Sequence, residues 1–423
     1  MVERAPFLTA TNSAYHHRGM PADDVEMTRV GPDTPGGEYL RRFWQPVILA
    51  SELGDLPKRL RILGEDLVAF RDKSGAIGLL ELHCPHRGTS LEFGLIGDKG
   101  IRCCYHGWLF DVDGAILETP GEPADSTLKD RLCHGAYPVH EYGGLVFAYM
   151  GPPDQKPPFP VFDTYDIPGH QLVARAPTFW HCNWLQVKEN SVDPAHVAFL
   201  HTLPGSQGFS DDFKELAEWD WMETPVGMVY IDTRRYEDKV WVRVADFMLP
   251  NIHQFPPNIE PVTQRNTFNR PQATTWAVPL DDTHTMQIGY YRAPFGKVPG
   301  LGTGFGQDDS RSYEERQRVP GDWDAQVSIH DGMSRHGLEH LTSTDRGVIM
   351  MRNMIRRGIR AVAEGEDLNY RILTNGAAVP TYSHDRIIPG IAPAATPEAD
   401  RKLLREVARN VVAESVKNGL AGG

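Results

Sequence analysis

Cys84-Pro85-His86-Arg87-Gly88 and, a little further on, Cys103-Cys104-Tyr105-His106-Gly107-Trp108 are the most informative stretch of this 423-residue chain. Reduced to its metal-binding side chains, the stretch reads Cys-x-His, sixteen intervening residues, then Cys-x-x-His. Two thiolates and two imidazoles suit a tetrahedral zinc ion, or a [2Fe–2S] cluster in which histidines replace two cysteines on one iron. The surroundings favour the cluster over a structural zinc knuckle. Each half reads as a loop between strands, so two hairpin loops can clamp a flat cluster, and Gly88 and Gly107 let backbone approach sulfur. Cys104 adjoins Cys103 but lacks the two-residue spacing to His106, and it reads as a packed strand residue. Cys133 and Cys182 have no partner at metal spacing and read as buried apolar positions.

Around this stretch, residues 59–151 read as short strands separated by turn signals. Residues 67–70 and 77–82 flank the turn-like Asp72-Lys73-Ser74-Gly75; residues 108–110 precede Asp113-Gly114; residues 144–149 form a further apolar strand. A small all-β domain is expected, closed by the Pro-rich residues 151–158, which cannot continue a sheet. Beyond it the signals mix. Residues 183–201 read as an interrupted helix, and strands are expected at 227–231, 240–244, 274–278 and 285–291. Residues 296–318 read as a mobile surface loop. Two amphipathic helices close the chain. The first runs from Asp345 to about residue 362 with Val348, Met351, Ile355 and Ile359 as its stripe, and the second opens at Thr396-Pro397. The expected class is α+β. A residue 1–40 arm precedes an all-β domain at 41–155, followed at 156–423 by a domain of helices packed on a curved antiparallel sheet of helix-grip type.

Composition sets limits on partners. The chain holds 43 Lys plus Arg against 56 Asp plus Glu, a net charge of -13, which argues against nucleic acid as the main partner. No segment approaches the roughly 20 apolar residues that cross a bilayer, and the N-terminus lacks a signal-peptide pattern, so no membrane partner and a cytoplasmic location are expected. The glycine-rich residues 300–306 miss the G-x-G-x-x-G spacing of a dinucleotide site.

The Cys84–Trp108 stretch resembles the Rieske domain of ring-hydroxylating and demethylating oxygenases, the phthalate-dioxygenase-like branch in particular. The resemblance implies that Cys84 and Cys103 bind one iron, that His86 and His106 bind the other, and that Arg87 and Trp108 lie beside the cluster.

A second constellation follows at Glu189-Asn190-Ser191-Val192-Asp193-Pro194-Ala195-His196 and His201. Two histidines and one carboxylate, leaving open positions, make the facial triad of non-haem Fe(II) oxygenases. Histidines five apart on an ideal helix point about 140° away from each other. A π-bulge or a helix end is therefore expected between them. The run resembles the family's Asn-x-x-Asp-x-x-His-x4-His motif. By that resemblance His196 and His201 bind mononuclear Fe(II), Asp193 bridges to a Rieske histidine of a neighbouring subunit, and Asn190 is a further candidate. Asp193 before Pro194 also suits an ordinary helix cap. The third ligand is expected at Asp345, with Asp331 and Glu339 as rivals and His336 or His340 as supports.

The family resemblance implies an O2-dependent hydroxylase or O-demethylase of a small aromatic compound, an aromatic acid or aryl ether among them. Electrons would come from a separate NAD(P)H-dependent reductase, with or without a ferredoxin, to a homotrimer or stacked trimers. Arg270 and Arg292 could meet a substrate carboxylate, although both read more simply as surface residues. The alternative from another class is a non-enzymatic Rieske electron carrier with a ligand-binding domain.

Overall fold

The computed structural model describes residues 8–17, 22–202, 209–258, 261–264, 268–296, 310–366, 368 and 376–418. Three small antiparallel sheets build the N-terminal part. Glu65–Arg71 pairs with Lys58–Ile62 on one side and Ile77–Glu81 on the other, so the hairpin around residues 72–75 forms as its turn residues require. Asp72 fixes that turn. Its carboxylate accepts from the Ser74 and Ala76 amides, and from Gly100 in the next sheet. Leu95–Ile96, Ile101–Arg102, Leu109–Phe110 and Ile116–Glu118 form a four-stranded meander, and Leu145–Tyr149 lies between Trp44–Leu49 and Val139–Tyr142. Inward-facing Val68, Phe70, Leu80, Ile101, Phe110 and Ile116 join Cys84 and Cys103 in one core.

After a 3-10 turn at Pro153–Gln155 no strand begins until His170–Trp180, the edge of a nine-stranded antiparallel sheet. Next to it come His284–Pro294, Ala273–Asp281, Ile252–Phe255, Lys239–Met248, Gly227–Tyr236 and Glu218–Thr224 in that order; His384–Ile388 pairs with Lys239–Met248 and with Phe268–Asn269. One face of this sheet, with Val229, Val244, Ile252 and Trp276, shares a core with Phe147 and Tyr149 of the N-terminal part and with the two C-terminal helices. The other face carries Ala277, against which Val187 and Trp323 pack. The class is α+β, as read.

Arg346–Glu364 buries Val348, Met351, Ile355 and Ile359 and ends at Gly365, whose φ of 71° is the left-handed conformation of a helix stop. Pro397–Asn418 begins as expected, with Thr396 Oγ1 accepting from the Ala399 amide at 3.2 Å. Of the expected 296–318 loop, residues 297–309 lie outside the described residues, while Tyr313–Arg318 is a helix with a Ser312–Glu315 capping box.

Candidate metal centres

The two halves of the Cys/His stretch fold into matching loops. In each, a glycine amide donates to the carbonyl of the cysteine four residues before it: Gly88 to Cys84 at 2.8 Å and Gly107 to Cys103 at 3.1 Å. Both glycines have positive φ, 77° and 76°. A side chain at Gly88 would meet nothing within 4 Å, so what glycine supplies is the left-handed turn rather than room for sulfur. Cys84 and Cys103 are buried and unbridged, while His86 and His106 stand exposed at the loop tips with ring centroids 4.5 Å apart. The His86 ring stacks on Trp108 at 5.0 Å, and the Arg87 guanidinium lies over Tyr105 at 5.6 Å. Burial first, and then the neighbouring Cys103 thiol, push the Cys84 thiol up to about 11. Two buried thiols forced together on one side, and two free imidazoles on the other, fit a two-iron cluster with sulfur on one iron and nitrogen on the second. Cys104 and Cys133 are exposed, contrary to their reading as packed residues; Cys182 is buried.

The second constellation is held by the helix Trp184–Asn190 and the turns after it. Asn183 starts the helix with a capping box to Gln186, and its amide donates to the carbonyls of Thr28 and Asp282. Asp193 caps the 3-10 turn Pro194–His196, accepting from the Ala195 amide at 3.0 Å. A single α turn, Val197–Leu200, then ends at His201. The helix therefore breaks at both ends of the His196–His201 interval rather than bulging, which brings the two rings to 5.2 Å. The Trp221 indole donates to the Val192 carbonyl at 2.9 Å and fixes this segment from the sheet side.

The carboxylate that meets the two histidines is Asp322. Its Oδ1 lies 3.2 Å from His201 Nε2 and 3.6 Å from His196 Nε2, and accepts from the Asn190 amide at 3.2 Å. These three side chains converge tightly enough to hold one ion. Burial would raise the Asp322 carboxyl, but His201, His196 and Asn190 more than offset it, and the net direction is down. Asp345, expected in this role, is elsewhere. Its carboxylate accepts from the Thr342 amide and hydroxyl at 2.6 and 2.9 Å, closing the capping box of the 3-10 turn Ser343–Asp345 that leads into the Arg346–Glu364 helix. Asp345 lies within electrostatic reach of Asp193, whose carboxyl burial raises first and Asp345 raises further. Of the rivals, Asp331 sits in a left-handed turn at φ 59° and Glu339 is paired with Arg352. Asp322 opens the helix Asp322–Val327, which is anchored by the Trp323 indole donating to the Phe179 carbonyl and by Arg311 and Arg316 on Asp324. The available cue was Pro320-Gly321-Asp322-Trp323, a helix start followed by a large apolar anchor.

His336 and Glu339 belong to a neighbouring network. Glu189 Oε1 and both Glu339 oxygens accept from Arg352, while His336 meets Asp24 at 3.1 Å. The network ties the Asn190-bearing helix to Arg346–Glu364. Replacing Arg352 with methionine leaves the half-buried Glu189 with His336 Nε2, 3.5 Å away, as its remaining partner, and unfolding is expected to cost about 1–3 kcal/mol less in chemical denaturation. Arg270 pairs with Asp163 at 3.1 Å, and the Arg292 guanidinium donates to the Pro271 carbonyl. Neither is a free surface arginine.

A family model described as Rieske [2Fe-2S] domain matches residues 43–140. The oxygenase subunit of tert-butanol monooxygenase/tert-amyl alcohol desaturase from Aquincola tertiaricarbonis is 43% identical over 92% of this chain and 88% of that protein. The alpha subunit of phenoxybenzoate dioxygenase from Ectopseudomonas oleovorans is 38% identical, covering 84% and 89%. Among solved structures, a mutant of NdmA from Pseudomonas putida CBB5 with theobromine aligns with a TM-score of 0.61 and 20% identity, over 83% of this chain and all of that one, a likeness of fold.

Proposed function

Because this chain belongs to the Rieske non-haem iron oxygenases, as an oxygenase subunit, we propose that it hydroxylates or O-demethylates a small aromatic compound at the His196–His201–Asp322 centre. The observation that carries this reading is the convergence of Asp322 on both histidines, in a chain that also presents the paired Cys/His loops. Cys84, Cys103, His86 and His106 would hold the [2Fe–2S] cluster, and His196, His201 and Asp322 the mononuclear Fe(II). When bound, the cluster supplies single electrons, and the mononuclear iron supplies open positions for O2. Relatives named as oxygenase subunits leave no place for a non-enzymatic electron carrier.

The protein's own groups do the orienting. Asn190 donates to Asp322 and lies 3.2 Å from His196 Nε2, holding the carboxylate towards the rings. The Asp193 backbone carbonyl bonds His196 Nδ1, so that Nε2 is the nitrogen turned to Asp322. The Asp193 side chain remains partly exposed 3.8 Å from His196 Nδ1, where a second imidazole arriving from outside can reach it; this supports the bridging role. In a head-to-tail trimer that imidazole would be His86 or His106 of the next copy. Exposed Phe199 and Tyr105, one beside each centre, are the apolar surface such a contact would cover. An oxygenase subunit receives its electrons from a separate redox protein, here an NAD(P)H-dependent reductase with or without a ferredoxin. A second substrate class, a branched aliphatic alcohol, is favoured by the 43% identical relative.

Iron, acid-labile sulfide and the EPR spectrum of the reduced, anaerobically purified protein test the reading. About three irons and two sulfides per chain with a low-average-g signal are expected; zinc without sulfide would refute it. Asp193→Asn tests the bridge. It should retain all iron yet lower O2-dependent turnover about 10–100-fold, the range for groups supporting metal ligands. Unchanged turnover would reduce Asp193 to a helix cap.

A further inference from the structure

The helix that ends at Asn190 also carries an ammonium group that no residue of the described chain neutralises. Lys188 is 1% exposed, and its ammonium lies over the Phe247 ring at 5.7 Å with no carboxylate beside it. Burial pushes it down to about 7. A structural lysine ordinarily avoids this cost by reaching solvent or an acid. Facing it from the sheet is His253, the cross-strand neighbour of Phe247, whose Nε2 is buried without a hydrogen bond. Thr275, next across the sheet from His253, has a buried hydroxyl in the same condition. The imidazole is held well below its usual pKa by burial and then by the charges of Lys188, Arg243 and His196, all within electrostatic reach of it. Arg243 is spoken for by the Pro256 and Pro257 carbonyls and by Asp385. An ammonium without a counter-charge beside a half-buried imidazole whose Nε2 has no hydrogen bond, within electrostatic reach of His196, marks a place for an anion next to the metal centre.

We infer that Lys188 is a specificity-determining residue: its ammonium receives the carboxylate of a small organic acid whose far end faces His196. The inference rests on His196, His201 and Asp322 being the oxygenating centre. His253, half-buried and facing the ammonium, borders the same acid. A neutral alcohol would leave the ammonium uncompensated, so this site separates the two substrate classes named above.

The test is anaerobic calorimetry on the iron-replete full-length protein. Benzoate, phenoxyacetate and pivalate are each compared with their neutral amides, and tert-butanol is added to the panel. At least one carboxylate should bind about tenfold or more tightly than its amide, as a charge-assisted hydrogen bond implies. Lys188→Met should abolish that preference while leaving amide affinity within about twofold, and Lys188→Arg should keep part of it. If no carboxylate outbinds its amide on the wild-type protein, or if Lys188→Met keeps the preference with its EPR signal and near-UV circular dichroism intact, the inference fails. Iron analysis of the same samples separates the two readings. Full iron without anion preference sinks the Lys188 assignment alone; anion preference with the mononuclear iron site missing sinks the oxygenating centre and leaves an anion site.

Discussion

Asp322→Ala is expected to remove the mononuclear iron and leave the Rieske cluster intact. The protein would go from about three irons per chain to about two, with two sulfides and an unchanged reduced-state EPR signal. Two neutral imidazoles are a poor hold for a divalent ion, and the only carboxylate oxygen within 4 Å of both His196 and His201 among the described residues is that of Asp322. Turnover should fall by more than the 10–100-fold that loss of a supporting group brings. Asp345→Ala is the control. It removes the acceptor of the Thr342 amide and hydroxyl at a helix start, for about 0.5–2 kcal/mol of stability, and should keep all iron and most activity. Asp322→Asn keeps the side chain's shape, so iron loss in that variant cannot be laid to misfolding. Iron retained in Asp322→Ala and lost in Asp345→Ala would reverse the assignment.

The contrast between these two aspartates shows where sequence reasoning stops. Cys84-x-His86 and Cys103-x-x-His106 are legible because each pair sits in one tight turn, closed by its own glycine, so spacing alone carries the geometry. His196 and His201 are legible for the same local reason, together with the break that their spacing demands. The third side chain, the carboxylate, comes from more than 100 residues away, and Asp322 and Asp345 each begin a helix in the sequence. What selects Asp322 is tertiary: the Trp323 indole on the Phe179 carbonyl and Asp324 between two arginines fix the helix start beside His201. Strand lengths failed for a related reason. Gly227–Tyr236 and Lys239–Met248 run past their apolar stretches because Asp232, Arg234 and Arg243 are buried and paired, which hydrophobic patterning cannot register. His170–Trp180 and Glu218–Thr224 lie at the sheet edges with mostly half-buried residues and leave little periodic signal.

Cys103→Ser should abolish the cluster, and Cys104→Ser should leave it untouched, although the two thiols are neighbours in sequence. Cys103 is 3% exposed, its amide donates to the Trp108 carbonyl across the turn, and its thiol lies against that of Cys84. Cys104 is exposed, on the outside of the same loop. A serine hydroxyl at position 103 is a harder donor that stays protonated where a thiol yields its proton to iron, so sulfide and the low-average-g signal should both vanish. Turnover with any external electron donor should fall below detection, because the remaining centre has no single-electron supply within this chain. About one iron per chain should remain, since Asp322, His196 and His201 lie on elements packed against the large sheet rather than on the cluster loops. Cluster loss in Cys104→Ser with Cys103→Ser unaffected would show that the chain grips its iron–sulfur centre through the other thiol, and the symmetry of the two loops would then be without a purpose.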